Sequence, residues 1–192
     1  IRLAGTTVGR LLSTGSGNIT VTGTGNGSFQ GIETLNASNL IGGPSATGAI
    51  TLIADEINLI SGTVQSTGDL TIKPLTAATP IAIGGPVATL ELGDTELGNL
   101  ADGFNSITIG DATAGTVTID SSAFQDDVTV IGGDITITGA VTNAANESVT
   151  LAGRGNIDIT ADITTSNGAI VVNSDTDSTS GGAIRGNAGN LT

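Results

Sequence analysis

The sequence predicts an all-β chain wound into a right-handed parallel β-helix, a solenoid of about nine turns with a period of roughly 20–21 residues. Three observations carry this expectation. A short figure recurs: a glycine or polar turn, a branched apolar residue, a threonine and a second branched apolar residue, as in Gly133-Asp134-Ile135-Thr136-Ile137. Alternation over such a triplet places both apolar side chains on one face and the threonine on the other. The figures return at fixed spacing: Ile50 to Leu70 and Leu70 to Leu90 are each 20 residues, and Ile107 to Val128, Val128 to Val149 and Val149 to Ile170 are each 21. Finally, 30 glycines and many Asn and Asp punctuate the chain too densely for long helices.

Taken in order, the triplets begin at Ile19-Thr20-Val21, Ile50-Thr51-Leu52 and Leu70-Thr71-Ile72. They continue at Ile107-Thr108-Ile109, Val117-Thr118-Ile119, Val128-Thr129-Val130, Ile135-Thr136-Ile137 and Val149-Thr150-Leu151, with Ile157 and Ile159 in the same pattern. The repeats also align internally. Ile57 is followed by Val64 and Leu70, Ile135 by Val141 and Val149, and Ile157 by Ile163 and Ile170. A turn therefore holds about three short strands, and neighbouring turns hide one another's apolar faces. With roughly 4.8 Å between stacked strands, the rod is on the order of 40 Å long. Crossovers between parallel strands favour the right hand. An antiparallel sandwich is the rival, and regular spacing argues against it.

Two stretches break the rhythm. Pro74, Pro80 and Pro86 mark residues 73–90 as corners or edge positions. Leu97 and Leu100, at i and i+3 with Asp94 and Thr95 as candidate caps, predict a single helical turn protruding from one rung.

The segment Gly27-Ser28-Phe29-Gln30-Gly31-Ile32-Glu33-Thr34-Leu35 resembles the F-x-G-I-E-x-L element of very large repetitive bacterial surface proteins. Leu90-Glu91-Leu92 through Glu96-Leu97, with Ile107 to Gly110 and Ala114 to Ile119, resembles a second recurring element of those proteins. They are similar to filamentous-haemagglutinin-type adhesins. The resemblance covers most of the chain and implies a right-handed parallel β-helical rod exported to the extracellular bacterial cell surface. The family's secretion-signal domain is not among these residues. The chain opens at Ile1 and stops inside the pattern at Leu191-Thr192, so residues 1–192 read as a single β-helical segment excised from a longer repetitive protein.

Charge and composition narrow the chemistry. Eighteen acids against five bases give a formal charge of −13, which repels nucleic acid and anionic membranes. No apolar run approaches the ~20 residues of a transmembrane helix. The absence of cysteine fits an extracellular protein that needs no disulfides, and equally a chance omission. Without His or Cys there is no Ser-His-Asp triad, no thiol nucleophile and no ordinary zinc site.

Acid pairs could still serve a glycosidase. The doublets Asp126-Asp127 and Asp55-Glu56 are the candidates, yet adjacent strand residues point to opposite faces. Both therefore read as acidic turn residues before a strand. Phe29, Phe104 and Phe124 each lie three or four residues before an apolar strand position, and read as corner core filler rather than stacking platforms. Asn173, Asp175 and Asp177 alternate like the first half of a calcium loop. Ser178 stands where that loop needs glycine and Ile184 where it needs an acid, so an acidic surface loop is expected. Thr51, Thr71, Thr108, Thr118, Thr129, Thr136 and Thr150 could form a ladder of the kind ice-binding solenoids present, although threonine suits any exposed strand.

The resulting expectation is a structural stalk or adhesin segment, not an enzyme, with no catalytic, cofactor or metal residues. A carbohydrate-binding or carbohydrate-cleaving β-helix is the alternative, and an ice-binding solenoid the second. Surface glycans or proteins and other β-helical segments stacked end to end are the expected partners.

Overall fold

The computed structural model describes residues 1–3, 9–85, 87–179, 181–186 and 189–192. Pro86 lies outside them. The strands stack as a parallel solenoid with three sides, as the triplet spacing predicts. The longest sheet has seven rungs: Ile19–Thr22, Ile50–Ile53, Asp69–Lys73, Ser106–Gly110, Val128–Gly132, Val149–Gly153 and Ile170–Asn173. Every pairing in it is parallel.

A second side carries Arg2–Leu3, Ile32–Thr34 and Ile57–Asn58, then Leu90–Gly93, Ile81–Gly84, Val117–Ile119, Ile135–Ile137, Ile157–Ile159 and Ile184–Gly186. The third carries Arg10–Leu12, Leu40–Gly42 and Thr63–Gln65, followed by Ser122–Phe124, Val141–Ala145 and Ile163–Ser166. Leu100 joins this third side by a bridge to Val64, and Leu191 by a bridge to Ile163.

On the long sheet, register sets like above like. One inward column runs Ile19, Ile50, Leu70, Ile107, Val128, Val149 and Ile170; the next runs Val21, Leu52, Ile72, Ile109, Val130, Leu151 and Val172. The inward positions read from the sequence are buried, with Ile19 half-buried at the first rung of the sheet. β-Branched side chains suit this stacking because each lies over its equivalent one rung below, in a fixed rotamer.

The second side carries nine strands, in line with the roughly nine turns that length divided by period suggests, whereas the long sheet has seven among the described residues. Two turns are long: Ile19 to Ile50 spans 31 residues and Leu70 to Ile107 spans 37. The second contains an inserted rung. Leu90–Gly93 lies parallel beside Ile81–Gly84, with Ile81 opposite Leu90. Leu90 thus belongs to the second side, although its 20-residue distance from Leu70 mimics the next rung of the long sheet. Pro74 and Pro80 flank strands, where a missing N–H breaks no ladder bond.

The predicted helical turn is Asp94–Gly98. Its N-cap is Gly93 without a side-chain capping bond, so neither Asp94 nor Thr95 caps it. Leu97 and Leu100 close over the core. No described helix is long and apolar enough to cross a membrane.

Corners are tight. Gly42 and Gly110 have φ of +90° and +87°, and an added Cβ would lie 1.9 Å from the Gln65 carbonyl oxygen and 2.0 Å from that of Ile131. Only glycine fits where the backbone approaches so closely. Replacing Ile135 with Ala should cost about 2–5 kcal/mol, because the emptied site is walled by rungs that cannot collapse. Thr136→Ser on the outer face should change stability by less than about 0.5 kcal/mol. Gly110→Ala should cost about 1–3 kcal/mol or more through backbone strain. Equilibrium denaturant titration of the three variants measures the ranking.

Candidate functional site

The inserted rung and its helix help to line two concavities. A groove of ≈ 460 Å³ lies on the second side and is lined by Gln30, Glu56, Asn58, Ile60, Glu91 and Glu96, among others. A second, of ≈ 450 Å³, lies where Asp94 and Leu97 face Ser121, Gln125 and Thr142. The first groove follows from strand alternation. Leu90 and Leu92 point into the core, so Glu91 between them points out. Glu96 stands on the helix that turns the next corner.

Burial, with the Glu91 charge adding to it, holds the Glu96 carboxyl above its ordinary range. The ion pairs among the described residues are Arg2 with Glu33 at 3.0 Å, Lys73 with Asp111 at 3.2 Å and Arg185 with Asp158 at 3.2 Å. None involves Glu56, Glu91 or Glu96. The groove can therefore accept hydrogen bonds at three carboxylates, while the Gln30 and Asn58 amides can both donate and accept.

The sequence candidates separate. Asp55 and Glu56 diverge: Glu56 lines the groove, whereas the Asp55 carboxylate accepts the Leu75 and Thr76 N–H groups and the Thr76 and Thr79 hydroxyls. Desolvation pushes the Asp55 carboxyl up, but those four bonds outweigh it and hold it below the usual value. Asp126 and Asp127 diverge as well. Asp127 accepts the Ser148 N–H at 2.6 Å, and Asp126 accepts the Gly103 N–H at 2.9 Å. The two members of each doublet thus make separate contacts, and Asp126 is not a solvated turn residue: it is 4% exposed.

Phe104 and Phe124 fill the core as expected. Phe29 does not. It is half exposed, with the Arg2 guanidinium 4.7 Å above its ring, and it directly precedes the groove residue Gln30. The reason is local: the turn at 26–29 is closed on itself by the Asn26 side chain, which accepts the Ser28 and Phe29 N–H groups.

In the 173–178 loop, Asp175 and Ser178 adopt positive φ, and Asp177 accepts the Thr179 N–H. Among the described residues, no three acidic side chains are placed together to hold a metal ion.

Register aligns Thr20, Thr51, Thr71, Thr108, Thr129 and Thr150 in one outward column ending at Val171. Thr118 and Thr136 pair separately on the second side, beside Asp158. The column next to the long threonine ladder is mixed: Thr22, Ile53 and Lys73, and further along Gly110, Ile131 and Ala152. A threonine ladder is therefore present, but it borders bulky apolar and charged side chains.

The sequence reading missed Gln30, Asn58, Glu91 and Glu96 as groove residues. The trace of the groove in the chain is the 37-residue interval between Leu70 and Ile107, flanked by intervals of 20 and 21, together with the 31-residue interval from Ile19 to Ile50 that holds Gln30.

No family model matches the chain, and neither a curated protein nor a solved structure matches it.

Asp55→Asn should lower stability by about 1–3 kcal/mol at neutral pH, since bonds to a charged acceptor are lost, with solvent screening favouring the lower end. The sign for pH follows from the lowered carboxyl. Its contribution is present above the unfolded value and disappears as pH falls through the folded one. The difference between wild type and Asp55→Asn should thus shrink on acidification, as read by thermal melts across pH.

Proposed function

We propose that this chain is a structural stalk or adhesin segment of a secreted bacterial surface protein, working at the extracellular surface by spacing or attaching cells. The observation that supports this most is the pair of aliphatic columns running without interruption through seven rungs. Such a core resists bending because each rung is clamped by the two beside it. The first and last described rungs carry half-exposed Ile1, Leu12, Ile184 and Leu191, apolar surface that favours stacking on other β-helical segments. The charge of −13 opposes side-by-side aggregation and contact with nucleic acid. The lack of His and Cys in the sequence favours a passive module over an enzyme.

The ≈ 460 Å³ groove favours a second reading, capture of a surface glycan. Carboxylates and amides match sugar hydroxyls, and Ile60 and Ala88 offer apolar contact to the ring faces. The threonine column supports the ice-binding alternative less well, because its neighbouring column is irregular.

A glycan array combined with a polysaccharide and peptide cleavage screen tests the assignment. The stalk reading expects no specific capture and no turnover. Specific capture abolished by Glu91→Ala or Glu96→Ala would move the assignment to a glycan-binding adhesin, and bond cleavage would overturn it.

A further inference from the structure

The inserted turn rejoins the stack at Asp102-Gly103-Phe104, and the contact that receives it is Asp126. Gly103 has φ of +110°, so its N–H turns toward the next rung and donates to Asp126 Oδ1 at 2.9 Å. Phe104, the following residue, is buried in the core. Asp126 is itself 4% exposed, and its second oxygen, Oδ2, is buried without a hydrogen-bond partner.

A buried carboxylate oxygen with no donor is costly and calls for a cation, a water or a proton. The ion pairs among the described residues lie elsewhere, at Glu33, Asp111 and Asp158. The described acids do not converge into a metal-holding trio. The cavity beside Asp126 has a volume of ≈ 10 Å³ and is walled by Leu97, Leu100, Ile107, Ala123 and Phe124, with Gln125 the one other polar residue in its lining. That is at the lower limit for one water, and apolar walls give a water few further partners.

The charged groups that act on this corner are all negative. Asp102 comes from the inserted turn, Asp127 from the same corner, and Glu147 from the next rung.

We propose that Asp126 is a proton-binding site that takes a proton on Oδ2 as the folded rod is acidified, so that the junction between insertion and stack is a latch that tightens in acid. Oδ1 keeps the Gly103 bond in either state, whereas only the neutral carboxyl suits the apolar wall. Burial raises the Asp126 carboxyl, the Asp102 and Asp127 charges raise it further, and the Gly103 N–H, the donor with hydrogen-bond geometry, only partly opposes them. Glu147 is raised too, first by desolvation and then by the charge of Asp127 and a hydrogen bond with it. The sign is fixed by linkage. A carboxyl raised on folding stabilises below its unfolded value and loses that contribution as pH rises through the folded one.

The test follows the Asp126 side-chain carboxyl by carbon NMR through a pH titration of the folded chain, alongside melts of wild type and Asp126→Asn between about pH 4 and pH 8. Asp55, Asp69 and Asp111 impose an opposite pH trend, but it is common to both proteins and cancels in their difference. Asp126 should titrate above the ordinary aspartate value. The asparagine variant, which retains an acceptor for Gly103, should melt higher than wild type near pH 8, and this advantage should vanish near about pH 4, the two unfolding constants converging about tenfold for each pH unit of displacement. A carboxyl that titrates at or below about 3.9 overturns the proposal, as does an asparagine variant that is less stable than wild type at every pH. If the variant does not fold, the wild-type titration alone decides.

Discussion

The structure rests on one constraint: no turn of this chain can bury its own apolar face. A triplet such as Ile135-Thr136-Ile137 contributes two inward side chains, and both owe their burial to Val117 and Ile119 on one side and Ile157 and Ile159 on the other. Backbone bonds obey the same rule, since a parallel rung finds its donors and acceptors only in its neighbours. Stability is accordingly close to a sum over rungs and the interfaces between them. This explains why the inward columns tolerate little beyond Ile, Val and Leu, while the outward column passes from threonine to valine without disturbing the stack.

The same constraint governs the exceptions. An insertion survives only if it supplies its own lid. Here Leu90–Gly93 adds a rung to one side alone, and the short helix with Leu97 and Leu100 covers the side left behind. The corner polar groups are satisfied by backbone in a similar way. The buried Ser66 hydroxyl donates to carbonyls of the rung before it and receives the Gly68 N–H. Asn99 donates to the Leu59 carbonyl at 2.6 Å. Asp126, with one oxygen satisfied and one not, is one of the points where this economy fails, together with Ser122, Arg154 and Asp175, and it lies where the insertion closes.

Electrostatics divides along the same lines. Opposite charges in direct register, Arg2 with Glu33 and Asp158 with Arg185, sit on the second side near its two ends. Such cross-strand pairs are modest in energy where exposed. Midway along the rod, Glu56, Glu91 and Glu96 face the groove without an ion-pair partner among the described residues, so the insertion concentrates negative potential in a concave part of the surface.

The sequence by itself determined the stack. Alternation named the inward residues, and the 21-residue intervals named which residue lies over which, because parallel rungs of equal length must repeat in register. It also implied corners at the prolines and a helical turn at Leu97. Tertiary structure alone decided the rest. Leu90 sits at the right distance to follow Leu70, yet pairs with Ile81, since spacing cannot distinguish a new turn from a strand folded back within one. Phe29 shares its sequence position with Phe104 and Phe124, yet stays outside, because the Asn26 turn carries it away from the core. Asp126 and Asp127 look alike in the chain, and only the return of residues 102–104 over one of them makes it a buried acid. Periodicity encodes contacts between equivalent positions; contacts made by an insertion join non-equivalent ones, and those exist only once the chain is folded.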